Sequence, residues 1–204
     1  MKLTIVSAGL STPSSSRLLA DRLAEATRNA LTGRDHEATT EIVELRELAG
    51  DIAHHLLTGF PAPRLGAAID ATTAADGLIV VTPVFAASYS GLFKSFFDVI
   101  DPDALTGTPV LTGATGGTAR HSLVLEHAVR PLFSYLRAVV VPTAVFAASE
   151  DWGAGGTAHH DGLSDRVHRA GTELAALMTA RPPRDEPTDD ITAYEQQLAD
   201  LRFV

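Results

Sequence analysis

The first residues that could perform chemistry form a hydroxyl-rich run, "SAGLSTPSSSR", at residues 7–17. The run ends in Arg17, and the apolar pattern predicts a helix over residues 15–31, which begins inside the run. Free backbone N–H groups and the dipole at a helix N-terminus favour an anion. The run therefore predicts a phosphate-binding loop, although Ser14 or Ser15 would also suit a simple helix cap. It contains neither "GxGxxG" nor "GxxxxGKS/T", which disfavours a Rossmann dinucleotide site and a P-loop.

A second candidate segment, "TPVFAASYSGLFKSFFDVID", spans residues 82–101. Its first residues, 82–88, are mostly small or apolar, which leaves backbone N–H and C=O groups free to meet a flat heteroaromatic ring. The alternative is an ordinary strand-to-helix connection. Phe93, Phe96 and Phe97 are predicted to be core residues, on an apolar helix face wide enough to cover a partner subunit as well.

A third segment, "TGATGGTARH", carries Gly113, Gly116 and Gly117. Glycine permits positive φ angles and the close approach of a ligand to the backbone. An ordinary glycine-rich turn would have the same composition, so this segment gains meaning only beside the other two.

The elements that must position these segments alternate regularly along the chain. Apolar runs predict strands at 2–7, around 42–45, at 78–81, before 113, and at 139–148. Amphipathic patterns between them predict helices over 15–31, 63–77, 90–101, 121–138 and 162–180, while residues 49–68 suggest a loop with a short helix. Continuous Val, Ile and Leu strands belong to a parallel sheet covered on both faces, and ligands bind at the carboxyl ends of such strands. All three candidate segments lie at such ends.

Composition limits the remaining possibilities. The chain has 204 residues, 45% of them hydrophobic, which favours one domain. We expect that domain over residues 1–180, followed by a polar, Pro-rich linker and a short C-terminal helix over 181–204. A net charge of −9 with scattered Lys and Arg argues against nucleic acid as a partner. The absence of cysteine excludes disulfides and thiolate sites.

No apolar run approaches membrane-spanning length, and the N-terminus is typical of a first strand rather than a signal peptide. We therefore expect a cytoplasmic protein without a membrane partner. Two histidine pairs, His54 with His55 and His159 with His160, lack the spacing of a metal site and are interpreted as surface residues.

Together the segments resemble the NAD(P)H-dependent FMN reductases of the flavodoxin-like superfamily, the kind that supply reduced flavin to two-component monooxygenases. The resemblance covers about residues 1–150. It depends on residues that fall at the family's spacing: Pro83, Ser88, Gly91, Lys94, Asp98, Gly116, Gly117, His121 and Pro131. It implies an α/β fold, a three-layer, doubly wound, five-stranded parallel sheet with strand order 2-1-3-4-5.

The resemblance also implies cofactor-binding residues. Around the FMN phosphate it places Ser11, Ser14, Ser16 and Arg17. Along the isoalloxazine edge it places Pro83, Val84 and Phe85, and near the other polar edge Gly116, Gly117 and Thr118. Similar proteins often have Tyr where this chain has Phe85, so one hydroxyl is missing while the packing of the ring is retained.

The implied reaction is hydride transfer from nicotinamide to FMN, in which the flavin performs the redox chemistry, so we predict neither a catalytic side chain nor a metal ligand. NADPH is the expected donor, with NADH possible. Arg17 or Arg120 would suit the 2′-phosphate of NADPH, and His121 would either line the site or begin a helix. A homodimer or homotetramer and a flavin-dependent monooxygenase are the expected protein partners.

Two other functions fit the same cofactor and fold. One is a flavodoxin-like electron carrier that holds FMN permanently, and the other is a quinone, azo-dye or metal-ion reductase. The apolar helical segment at residues 92–100 favours an oligomeric enzyme over a monomeric carrier.

Overall fold

The computed structural model describes residues 1–152 and 162–182. The predicted C-terminal segment lies outside the described residues from 183 onward, as do His159 and His160. The strands are β1 (Lys2–Ser7), β2 (Thr39–Glu44), β3 (Gly77–Phe85), β4 (Ser88–Tyr89), β5 (Pro109–Gly116), β6 (Val139–Val140) and β7 (Val145–Ala148). The α-helices are α1 (Ser15–Thr32), α2 (Ala49–Thr58), α3 (Pro63–Thr73), α4 (Gly91–Asp98), α5 (Arg130–Tyr135) and α6 (Leu163–Ala180).

The main sheet is parallel and has the order β2-β1-β3-β5-β6, with β7 also paired to β5. Strands β6 and β7 occupy successive positions along the same edge of β5, so together they form the predicted fifth strand. The predicted doubly wound, flavodoxin-like order is thus confirmed. The structure has seven strands rather than five because the fifth is divided and β4 is added as a short antiparallel partner of β3.

The division of the fifth strand corrects the expectation of one strand over residues 139–148. Pro142 has no N–H to donate to a neighbouring strand. The next N–H, of Thr143, donates instead to a carboxylate oxygen of Glu173 on α6 at 2.7 Å, and the Thr143 hydroxyl donates to the other oxygen at 2.7 Å. Parallel pairing with β5 resumes at Val145.

The helices follow expectation with one exception. Residues 49–58 form the short helix α2 and residues 59–62 a connection, as expected there, and α3 lies within the helix expected over 63–77. The single helix expected over 121–138 is divided into a short 3₁₀ turn, a π-helical turn at Leu125–Val129 and α5. Pro131 lacks the N–H that an α-helical turn would use at this place, which accounts for the widened turn before it.

Helices cover both faces of the sheet. Helices α1 and α6 pack on the face that carries Ile5, Ile79 and Leu111, and the other helices pack on the face that carries Val6 and Val80. Alternate residues of one strand thus enter different cores, as expected for a sheet buried on both sides. No helix in the described part of the chain is long and apolar enough to cross a membrane.

The phenylalanines of α4 are core residues, as predicted. Phe93, Phe96 and Phe97 are at most 2% exposed, and the rings of Phe93 and Phe97 lie 4.8 Å apart. Because this chain alone buries all three, they offer no surface to a partner subunit. The expectation of an oligomer therefore stays a prediction without support from these residues.

Candidate functional site

The three candidate segments meet at the carboxyl edge of the sheet. Ser7 of β1 is paired with Val81 of β3, and Pro83 of β3 is paired with Thr115 of β5. Beyond β1, the N–H of Ala8 donates to the carbonyl oxygen of Val81 at 2.9 Å. The segments surround a cleft of about 440 Å³, lined by Gly9, Leu10, Ser11, Ser14, Ser15, Ser16, Pro83, Val84, Phe85, Thr115, Gly116, Gly117, Ser149 and Trp152.

The hydroxyl-rich run at residues 7–17, called the hydroxyl loop below, both caps α1 and lines the cleft. Ser14 is the N-cap residue, and its Oγ accepts a hydrogen bond from the Arg17 N–H at 3.2 Å. The capping alternative is therefore confirmed for Ser14. Ser11, Ser14 and Ser15 also line the cleft next to the helix N-terminus, where an anion is favoured.

Ser16 has a structural partner in a distant part of the chain. It is 2% exposed, and its Oγ lies 2.7 Å from Oγ1 of Thr115, which is 4% exposed. This hydrogen bond joins the start of α1 to the end of β5. It therefore fixes the hydroxyl loop relative to the glycine-rich segment at residues 112–121, called the glycine loop below.

We expect Ser16→Ala to lower the free energy of unfolding by about 1 to 2 kcal/mol, because it leaves the buried Thr115 hydroxyl without its partner. Thr115→Val should cost a similar amount alone. Since the double variant removes both hydroxyls, its cost should be clearly smaller than the sum of the two. Denaturant unfolding of the four proteins measures this difference, and additive costs would contradict the pairing.

Arg17 is directed at carboxylates. Its Nε donates to Asp21 at 2.8 Å, and its Nη1 donates to Glu44. Hydrogen bonds to Asp21 first and Glu44 second raise the pKa of Arg17 above its usual value. Arg17 is not among the described residues that line the cleft, and two acidic neighbours already offset its charge.

The segment after Val81 is a hairpin rather than a loop. Strand β3 continues to Phe85 and turns back at Ala86 and Ala87, whose φ angles are +47° and +66°. A two-residue turn with both φ angles positive matches the twist of a hairpin. The turn leaves Phe85 49% exposed at the cleft.

Hydrogen bonds hold this hairpin against the start of α4. The Thr82 hydroxyl donates to the carbonyl oxygen of Pro83 at 2.9 Å and accepts from the Ser90 N–H at 3.0 Å. Ser90 in turn caps α4, because its Oγ accepts from the Phe93 N–H at 3.2 Å. The buried helix therefore positions Pro83, Val84 and Phe85.

The glycine loop contributes residues with little or no side chain. Gly116 and Gly117 line the cleft, whereas Thr118 caps the following 3₁₀ turn by accepting from the Arg120 N–H at 3.4 Å. Arg120 and His121 are exposed on that turn. Among the described residues, the cleft lining includes neither of them nor Thr118.

A fourth segment, which sequence reasoning missed, also lines the cleft. Ser149 and Trp152 belong to the 3₁₀ turn after β7. The guanidinium carbon of Arg22 lies 4.9 Å from the centroid of the Trp152 ring, which favours a fixed ring orientation. The available signal was the position of this aromatic residue, just beyond the carboxyl end of a sheet strand.

The lining has no formal charge. None of the described residues that line the cleft is Asp, Glu, Lys, Arg or His, although the chain carries a net charge of −9. Hydroxyl groups, main-chain groups and apolar side chains therefore determine what the cleft binds. Elsewhere, His54 is exposed and His55 partly buried, and no three metal-ligating side chains come together within residues 1–152 and 162–182.

The doubly wound sheet and a neutral, hydroxyl-lined cleft at its carboxyl edge define a flavodoxin-like α/β protein with a ligand site between loops. A sequence model of the family described as NADPH-dependent FMN reductase matches residues 1–153. The chain belongs to this family, as the sequence resemblance predicted.

Individual relatives agree with this assignment. The chain is 39% identical to an FMN reductase (NADPH) of Pseudomonas aeruginosa over 151 residues, which cover 74% of this chain and 78% of the relative. It is 38% identical over 152 residues to the NADH-dependent FMN reductase SfnF of Pseudomonas fluorescens, covering 74% and 79%. A solved structure of an oxidoreductase from Corynebacterium diphtheriae is 49% identical, with a TM-score of 0.83 over 89% of this chain and 98% of that one.

Proposed function

We propose that this protein transfers hydride from NAD(P)H to FMN. The observation that carries the proposal is the neutral cleft, which is lined by hydroxyl side chains from one loop and by glycines from another. Membership of the FMN reductase family supports FMN as the ligand. The predicted cofactor residues Ser11, Ser14 and Ser16 lie in one wall of this cleft.

The cleft suits a phosphorylated, flat cofactor. Its volume of about 440 Å³ falls in the range of about 300 to 1,000 Å³ typical of small-molecule sites. At Gly9 a Cβ would lie 1.9 Å from the Ser14 Oγ, so the backbone comes close to the capping hydroxyl and leaves no room for a side chain. Hydroxyls beside a helix N-terminus suit a phosphate, and the apolar residues Val84, Phe85 and Trp152 suit a ring system.

Each group of residues has its own task in this proposal. Ser11, Ser14 and Ser15 would bind the phosphate, Pro83–Phe85 would border the ring, and Gly116 with Gly117 would offer main-chain N–H groups to its polar edge. When bound, FMN supplies the redox chemistry by accepting hydride. The side chains of Phe85 and Trp152 would exclude water from that space, so this chain contributes binding, orientation and a low-polarity environment.

The nicotinamide donor is proposed as NADPH, with NADH as the alternative. The relatives point both ways, since the Pseudomonas aeruginosa relative is named for NADPH and the Pseudomonas fluorescens relative for NADH. Arg120 is exposed beside the glycine loop and is our candidate for the 2′-phosphate. Arg17 is less suited, because Asp21 and Glu44 already bind its guanidinium.

We further propose that the reduced FMN leaves to serve a monooxygenase, and that the protein works as a homodimer or homotetramer in the cytoplasm. The first point rests on the sequence resemblance to reductases that supply flavin to two-component monooxygenases. Leu123 and Tyr135 are exposed at 61% and 73% and are our candidates for residues that a second subunit would cover.

The test combines binding with turnover. Trp152 is the single tryptophan of the chain and lines the cleft, so we expect FMN to quench its fluorescence saturably. N-acetyltryptophanamide, titrated identically, controls for light absorption by the flavin. NADPH oxidation, followed with FMN as sole acceptor and then with quinones, should be fastest with FMN.

Three outcomes would contradict the proposal in different ways. Absence of both saturable quenching and FMN-dependent NADPH oxidation would overturn it. Tight binding of FMN without multiple turnovers would favour the electron carrier. Faster turnover with a quinone than with free FMN would favour the quinone reductase.

A further inference from the structure

A positively charged side chain from another segment of the chain contacts the hydroxyl loop. Nη1 of Arg46 donates to the hydroxyl of Thr12 and to the carbonyl oxygen of Ser11, the latter at 3.4 Å. Arg46 belongs to the 3₁₀ turn Leu45–Leu48 that follows β2. It is thus 35 residues from Ser11 in the sequence, yet it contacts the residue that lines the cleft.

The position of Arg46 is set by the sheet. Strand β2 pairs with β1 so that Glu44 lies beside Ser7, and both strands therefore end at the same edge. Leu45 and Leu48 are buried on either side of Arg46, at 0% and 6% exposure. These anchors hold the turn against the core and leave the Arg46 side chain at the loop.

Arg46 is also the cation whose charge is available to this loop. Arg17, the nearest alternative in the sequence, donates to Asp21 and Glu44. Within residues 1–152 and 162–182 the structure pairs Arg46 with no carboxylate, because its contacts are a hydroxyl and a carbonyl oxygen. The hydroxyl loop of an acidic protein thus has a positive charge directly beside it that can attract a dianion.

We propose that Arg46 is the positioning residue that makes the site select phosphorylated flavin over riboflavin. This inference rests on the proposed FMN reductase function. Arg46 orients Ser11 and Thr12 and lowers the free-energy cost of bringing a phosphate beside them. Its guanidinium lies 3.4 Å from the Ser11 carbonyl oxygen, well inside a Debye length of about 8 to 10 Å. Riboflavin has the same ring system without the phosphate, so its binding should not depend on Arg46.

The experiment measures the Kd of FMN and of riboflavin by calorimetry for the wild type, Arg46→Gln and Arg46→Lys. We expect Arg46→Gln to raise the Kd of FMN about tenfold, the lower end of what one charged hydrogen bond contributes, and to leave riboflavin unchanged. Arg46→Lys, which keeps the charge, should recover part of the loss. In turnover assays the KM for FMN should rise while kcat stays constant.

A matched control is Arg64→Gln, which removes the same charge from the neighbouring helix α3. Arg64 is 67% exposed and pairs with Glu47 at 3.4 Å, and this variant should bind both flavins as the wild type does. Added salt should weaken FMN binding less in Arg46→Gln than in the wild type. Because Arg46 is exposed, circular dichroism should find both of its variants folded.

The outcomes separate the two levels of the proposal. Failure of the wild type to bind FMN would overturn the proposed function itself. Tight FMN binding by the wild type with an equal Kd for Arg46→Gln would overturn only the role of Arg46. Equal weakening of FMN and riboflavin would overturn it too, and so would a changed NADPH-to-NADH preference with unchanged FMN affinity.

Discussion

Replacing Gly171 with Ala should lower the free energy of unfolding by about 2 kcal/mol, within the range for overpacked cores. Gly171 lies on α6 where that helix crosses α1. A Cβ built there would come within 2.8 Å of the backbone carbon of Ala26 and of the Thr27 nitrogen. Because both atoms belong to the α1 main chain, no side-chain rotation relieves the contact. Helices α1 and α6 must therefore move apart, which loosens the packing of the core that they share.

Gly66→Ala is the matched control for this substitution. Gly66 lies in α3, and a Cβ there has no neighbour within 4 Å. The better helix propensity of Ala should stabilise the control by up to about 1 kcal/mol. Denaturant unfolding of both variants measures the contrast, and a Gly171→Ala protein as stable as the wild type would contradict the close approach of α1 and α6.

The fold was predictable from the sequence where a strand is apolar at every position and the segments on either side of it are amphipathic. Runs such as Leu78–Val81 are apolar at every position, which a sheet covered on both faces requires, and the structure places alternate members in different cores. The interruptions were harder to predict. The division at Pro142 depends on Glu173, a carboxylate 30 residues from its partner Thr143 that accepts the displaced N–H.

The candidate site was predictable as a set of loops but less so as individual side chains. Hydroxyl content and glycine content indicated the loops that contain Ser11, Ser14 and Gly117, and these loops line one cleft because carboxyl ends of neighbouring parallel strands must meet. The direction of a long side chain is a different matter. Arg17 has the expected type and position, but Asp21 and Glu44 bind its guanidinium.

Two residues at or beside the cleft were missed because they come from segments without a motif. Arg46 follows β2, and Trp152 follows β7. Neither residue belongs to a run of similar residues. Both nevertheless lie just beyond the carboxyl end of a parallel strand. Scanning every such end for isolated Arg and aromatic residues, rather than only those rich in Gly or Ser, would have found them.

Gly9→Ala should give the largest loss of FMN binding, with Kd raised by about ten- to a hundredfold if the phosphate loses one or two hydrogen bonds. Gly9 does not have a positive φ angle in this structure, so the requirement for glycine there is one of space. The new Cβ would lie 1.9 Å from the Ser14 Oγ and 3.0 Å from the Ser14 Cβ. The hydroxyl must therefore leave the Arg17 N–H, which also costs the cap of α1 about 1 kcal/mol.

The double variant Gly9→Ala with Ser14→Gly tests this cause directly. Ser14→Gly removes both atoms that the new Cβ would meet most closely, and glycine at an N-cap costs only a few tenths of a kcal/mol relative to serine. Adding Gly9→Ala in that background should then change the free energy of unfolding very little, whereas in the wild type it should cost about 1 kcal/mol. Equal costs in both backgrounds, measured by denaturant unfolding, would show that Ser14 does not contact position 9 and that the cleft wall is built differently.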